Sequence, residues 1–270
     1  MTSESRERFV AEIQKTDLET IHLDVALLCV AIEAQQDPPG LAEFLDRETS
    51  RLDALADQVP ADGRPDVRLR QVLSGFHGLT ADYDRLDSSL LPDVLSRGRG
   101  LPILLSAVWT EVARRVGIPA HGVGLPGHFV VGIGDPTGSR VLVDPWAHGA
   151  LLPYDKAREL VSATGRTLRP EHLEPHSPVD TLARVLGNIT TWARTPERAR
   201  QRLWSIELAL LLPRRNLGLT REYGEALIGV GRYSEASQVL EEYAELVSAA
   251  MPLEAENARR TAQHVRSRLN

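Results

Sequence analysis

Midway along the chain the hydrophobic period changes, and that change limits what the chain can fold into. Pro102 through Val116 (PILLSAVWTEVARRV) repeats apolar residues at helical spacing. Pro102 suits the first helical position, where a missing N–H costs nothing. Gly117-Ile118-Pro119-Ala120 then stops the helix. Beyond the stop, residues 121–133 (HGVGLPGHFVVGI) and 140–144 (RVLVD) are short and valine-rich, separated by Gly134-Asp135-Pro136-Thr137-Gly138. That pattern predicts a hairpin.

Helical periodicity fills both flanks. Residues 17–34 place Leu18, Ile21, Val25, Leu28, Cys29 and Ile32 on one stripe, and Asp37-Pro38-Pro39-Gly40 breaks it. A second helix follows (LAEFLDRETSRLDALADQV), with Leu41, Phe44, Leu45, Leu52, Leu55 and Val59 apolar. Pro60 to Pro65 reads as a linker, 66–79 as a helix running into Gly75, and 80–100 as a stretch of turn formers. From Pro178 onward the chain is helical again, with a helical hairpin around Gly231-Arg232-Tyr233. The expected fold class is therefore α+β: an N-terminal helical layer, a small antiparallel sheet packed on helix 102–116, and C-terminal antiparallel helices. All-α is the alternative classification, because helices dominate the residue count. The expected domains are 1–176 and 177–270.

Composition excludes several function classes. The 270 residues are 42% hydrophobic and 25% charged, enough to bury a core. A formal net charge of −6 offers no global basic field for nucleic acid. No long apolar run spans a membrane, and the polar start MTSESRERFV is no signal peptide. The single cysteine, Cys29, cannot form an internal disulfide, which fits a cytoplasmic protein. Cys29 sits on an apolar helix face and reads as a small buried hydrophobe.

Three pieces carrying chemistry then fall in one order: helix 102–116, Pro126-Gly127-His128-Phe129 on a strand, and Val143-Asp144-Pro145-Trp146. This order resembles the transglutaminase-like core of the papain-type thiol superfamily, in which a cysteine begins a helix, a histidine sits on the next strand and an aspartate follows on the one after. The helix N-terminus stabilises the thiolate, the histidine takes its proton, and the carboxylate orients the imidazole. Within that superfamily the chain resembles SirB-type bacterial proteins, which join such a domain to tetratricopeptide-like helices. The resembling stretches are LAEFLDRETSRLDALA after Asp37-Pro38, GRGLPILLSAVWTEVARRVGIPAHGVGLPGHFVV, VLVDPWAHGALL and, for one tetratricopeptide motif, GRYSEASQVLEEYAEL.

The resemblance implies His128 and Asp144 as the inherited dyad, and it places the nucleophile position on Pro102. Proline has no nucleophilic atom, and the SirB-type pattern carries proline there as well. Where that pattern often has serine two residues further on, this chain has Leu104. Ser106, one turn into the helix, is the nearest hydroxyl and the third catalytic candidate. Pro102, His121, Trp146 and His148 are the candidate binding residues. Asp144 before Pro145 also suits a plain turn cap.

Two readings of function follow. In the first, a cleft lacking its thiol binds a peptide, a protein or a small ligand without catalysis, and the C-terminal helices offer a surface to a protein partner. In the second, His128 and Asp144 serve altered hydrolase or acyl-transfer chemistry with Ser106, another non-cysteine nucleophile or a bound metal. His121, His128, Asp144 and His148 suit zinc or iron chemically, but their spacing matches no dedicated motif. His172 and His176 are interrupted by Pro175. No metal ligand set and no cofactor is expected. Arg114-Arg115 reads as a helix C-terminus, and Arg214-Arg215 as another or as a site for an acidic partner.

Overall fold

The computed structural model describes residues 3–15, 20–35, 38–213 and 216–267. Leu18, Asp37 and the pair Arg214-Arg215 lie outside them.

The N-terminal layer is built from α1 (Ser3–Ile13), α2 (Leu23–Glu33), α3 (Leu41–Ala56), α4 (Pro65–Leu73) and α5 (Leu91–Arg97). The stripe expected on α2 is instead a full apolar cylinder. Every residue of LDVALLCVAIE except Val25 is buried, because α1, α3, α5 and α6 (Pro102–Arg115) pack around it. A helix hydrophobic on all sides belongs inside a protein rather than on its surface. Its two end carboxylates are paired: Asp24 accepts from Arg115, and Glu33 from Ser5 and Arg6. Ile21 precedes the helix.

Helix α6 starts with Pro102 as its first residue and ends as its sequence predicts. The Gly117 N–H donates to the Arg114 carbonyl at 3.2 Å and the Ile118 N–H to the Ala113 carbonyl at 2.9 Å, with Gly117 at φ 68. These paired bonds satisfy the orphan carbonyls of the last turn and need a left-handed residue where glycine stands. Arg114 and Arg115 cap that end through Glu111, Asp24 and Asp53.

The sheet is an antiparallel meander, β1 (Ala120–Val123), β2 (Val130–Gly134), β3 (Arg140–Asp144) and β4 (Ala150–Leu151), in that spatial order. Stretch 121–133 is thus two strands joined by a loop, with Ala120 opposite Ile133. His128 belongs to the loop, two residues before β2. Beneath the sheet, Val123, Leu125 and Val130 pack with Leu152, Ala157, Val161 and Leu168, which brings in α7 (Tyr154–Ser162).

Between α4 and α6 runs a strap, residues 78–101, that combines tight turns with the short α5. Asp82 is fully buried at its centre. Its carboxylate accepts the Leu79 N–H at 2.8 Å and both Arg97 and Arg99 at 3.0 Å. Sequence showed turn formers here. The helix is only seven residues long and needs Leu91 and Val94 in the core to hold it.

Two compact units divide the chain, 1–185 and 186–270, with the division inside α8 (Pro178–Trp192). The second unit continues with α9 (Ala199–Leu211), α10 (Leu217–Gly229), α11 (Tyr233–Val247) and α12 (Pro252–Arg266). Helices α10 and α11 form a hairpin about Gly231 at φ 81, and Gly224 lets Leu240 approach its backbone. Tyr243, Ala244, Val247, Ala255 and Ala258 close the α11–α12 pair. Among the described residues no helix is long and apolar enough to cross a membrane.

Removing the Asp82 carboxylate leaves two arginines facing a buried void. Asp82→Ala should lower stability by about 3 kcal/mol, the cost of breaking a buried ion pair, read as a lower urea midpoint. An unchanged midpoint would show that the strap does not depend on this carboxylate.

Candidate functional site

The β1–β2 loop brings His128 up and the end of β3 brings Asp144 to meet it. His128 donates through Nε2 to Asp144 Oδ2 at 3.0 Å, with the two side chains 14% and 10% exposed. The other Asp144 oxygen accepts the Trp146 N–H at 3.0 Å, so the carboxylate both caps the turn after β3 and holds the imidazole. Pro145 forces the chain to turn directly after the strand, which aims Asp144 back at the loop.

The loop is fixed from α8. Arg184 donates through Nη2 to the carbonyls of Leu125 (3.1 Å) and His128 (2.8 Å). Its guanidinium lies over the Phe129 ring at 5.3 Å, and His176 meets the same ring edge-on at 5.3 Å. Gly122 and Gly124 leave the room these side chains occupy: a Cβ on Gly122 would come within 2.7 Å of Phe129, and one on Gly124 within 2.6 Å of His176.

Because the Nε2–H donates to the carboxylate, the neutral form of the His128 ring carries its lone pair on Nδ1. Among the described residues Nδ1 has no hydrogen-bond partner, and it is not sealed from solvent. The ring is therefore oriented by one nitrogen and open to a ligand or a proton at the other.

An aromatic pair borders the dyad. Trp146 packs flat on Gly78, where a Cβ would sit 1.8 Å from the indole, and Tyr83 leans on it with ring centroids 5.5 Å apart. Half of Tyr83 is exposed. Partial burial pushes its hydroxyl pKa above 10.0, the charge of Arg184 lowers it, and that of Asp144 raises it. Tyr83 thus shares the electrostatic surroundings of Asp144 and Arg184.

The other candidates are not joined to the dyad. Ser106 is 1% exposed and its hydroxyl has no hydrogen-bond partner, so His128 does not activate it. Pro102 is buried at the start of α6. The His121 ring lies across Gly132 of β2, its Nε2 sealed without a partner, and burial followed by the charge of Arg140 pulls its pKa below 6.5. His148 stacks on His77. No three His, Cys, Asp or Glu side chains converge on a metal position among the described residues. Two surface depressions, of about 430 and 380 Å3, are lined by neither His128 nor Asp144.

Sequence reasoning passed over Tyr83, Gly78 and Arg184. Tyr83 and Gly78 sit in a strap without periodicity, and Arg184 is one of many arginines on an amphipathic helix. Only the fold joins them to His128.

An antiparallel sheet packed against a helix, with a histidine–aspartate pair at its end, is the core of residues 46–187. Residues 46–187 match the Transglutaminase-like superfamily, and the chain belongs to it. A UPF0162 protein of Xylella fastidiosa is 32% identical over 185 residues, covering 64% of this chain and 63% of that one. A UPF0162 protein of Pseudomonas aeruginosa is 34% identical over 142 residues, half of each chain. The chain therefore matches less than two thirds of the length of these relatives. Among solved structures, a menin crystal structure, described as revealing the binding site for Mixed Lineage Leukemia protein, aligns at TM-score 0.43 and 10% identity. It covers 97% of this chain and 69% of that one.

Cys29 offers no substitute thiolate. It is 1% exposed, and burial pushes its pKa up from 9.0 to about 12, with Arg8 opposing and Glu12 and Glu33 adding to the rise. The folded protein should resist iodoacetamide at pH 8 and react fully once unfolded. Full labelling of the native chain would refute this placement. A thiol whose folded pKa is raised holds its proton longer than the unfolded one. Its contribution to stability is thus present below pH 9 and is lost as pH rises toward 12.

Proposed function

We propose that this transglutaminase-like domain is a recognition module: it keeps the histidine–aspartate pair of a thiol enzyme, lacks the nucleophile, and uses the free Nδ1 of His128 to bind. The observation that carries this reading is the first residue of α6, Pro102, which has no nucleophilic atom. The only cysteine is buried on α2, and Ser106 is buried without a link to His128. The half-exposed Tyr83 leaning on Trp146 beside Asp144 favours an extended peptide segment of a protein as the ligand. Such a segment would donate a backbone N–H to His128 Nδ1 and lay a side chain on Tyr83 and Trp146. The SirB-type assignment and a tetratricopeptide-like reading of residues 177–270 belong to the same proposal, with the second helical surface open to a protein partner.

One observation favours an enzyme instead: an oriented neutral imidazole with an outward lone pair is a competent general base. A displayed peptide library panned on the full chain separates the two. Recovered peptides should bind wild type unchanged in mass and lose about tenfold in affinity with His128→Ala, roughly 1.4 kcal/mol for one hydrogen bond. Cleavage of those peptides, or amine incorporation into them, that disappears with His128→Ala would overturn the binding reading.

A further inference from the structure

The larger depression, of about 430 Å3, opens where the end of α2 meets the strap, and its size suits a small organic molecule. Its wall is apolar at Ala31, Leu86, Leu90 and Pro92 and acidic at Asp87 and Asp93.

The two carboxylates differ. Asp87 is paired: it accepts from Arg85 Nε at 2.9 Å and lies 2.6 Å from Arg97 Nη1. Asp93 is half-buried in the first turn of α5. Among the described residues it has no hydrogen-bond or ion-pair partner, and neither of its oxygens is sealed from solvent. Burial pushes its pKa above 3.8, Asp87 and Glu48 add to the rise, and Arg97 and Arg51 oppose it.

The neighbouring cations are spent on other acceptors. Arg51 donates through Nη1 to Glu48 at 2.8 Å and to the Pro92 carbonyl at 3.3 Å. Arg97 serves Asp82 and Asp87, and Arg85 serves Asp87. Helix polarity acts in the same direction. Helix α2 ends at the depression with Ala34 and Gln35 on the wall, and its last turn holds no basic residue. The carbonyl end of a helix carries partial negative charge and favours a cation. A partly desolvated carboxylate without a partner, a helix C-terminus and an apolar wall thus meet at one opening, and a positive head group on a short apolar chain satisfies all three.

We propose that this depression binds a small organic cation, an alkylammonium whose head group pairs with Asp93 and whose chain lies against Ala31, Leu86, Leu90 and Pro92. The site is separate from the dyad and does not depend on what His128 binds.

The test is an NMR titration of the full chain at pH 7.5 with n-butylamine, n-butanol and butyrate. These share one chain and differ in the head group, the amine being protonated at this pH as a lysine side chain is. Butylammonium should bind saturably and shift the amide signals of Ala34, Gln35 and Asp93, while butanol and butyrate should bind at least about tenfold more weakly. Asp93→Asn keeps the shape, removes the charge and should weaken butylammonium by about tenfold or more, as loss of a hydrogen bond to a charged group does. If Asp93→Asn does not fold, Ala34→Arg decides: it puts a cation of the chain itself on the wall and should abolish binding. Butanol binding as tightly as butylammonium, unchanged affinity in the folded variant, or no saturable shift in wild type overturns the proposal.

Discussion

The fully buried carboxylate of Asp82 organises the part of the fold that shapes the site. Two guanidiniums, 24% and 33% exposed, meet it from the far end of the strap, and a backbone N–H meets it from the near end. A carboxylate removed from water is tolerated only when its oxygens are used, and here both are. The bonds draw residues 79–99 into one knot. From it Gly78 and Tyr83 reach Trp146, and the Leu101 N–H donates to the Ser88 carbonyl at 2.9 Å just before α6 begins. The aromatic pair beside the dyad and the start of α6 are therefore held by the same buried charge.

The dyad is tied into the structure around it. Arg184 spends its guanidinium on the carbonyls of Leu125 and His128, which holds the loop that carries the histidine. Asp144 spends one oxygen on the turn and the other on the imidazole. Each group stabilises local structure as well as the other, which gives the pair a structural role of its own.

Much of this was legible in the residues. Helix 102–116 is readable because proline at its start and Gly117-Ile118-Pro119 at its end each have a local physical meaning, and the dyad is readable through the family resemblance of the segments that carry His128 and Asp144. The seven-residue α5 is not, since propensity cannot stabilise so short a helix and only Leu91 and Val94 in the core do. Nor is the burial of α2 on every side, because a stripe and a cylinder share the same apolar positions and differ only in what packs around them. Stretch 121–133 looked continuous because valines flank the loop. Pro126-Gly127 marked the turn, with Gly127 at φ 77. His77 and His148 meet across a gap in sequence that no spacing rule connects, and Tyr83 and Arg184 reach the site in the same way.

Proline at the head of α6 carries the last step of the argument. At that position a cysteine would draw on the helix dipole and on the unpaired N–H groups of the first turn to hold a thiolate. Proline offers neither a thiol nor an N–H there, and its fixed φ favours the helix start. Leu101 caps it only through its backbone, its carbonyl accepting from the N–H groups of Leu104 and Leu105 at 3.0 Å, with no side-chain cap. With Pro102 in place, the start of α6 is held by backbone groups alone, and the strap before it is tied in through the Leu101 N–H and the Ser88 carbonyl.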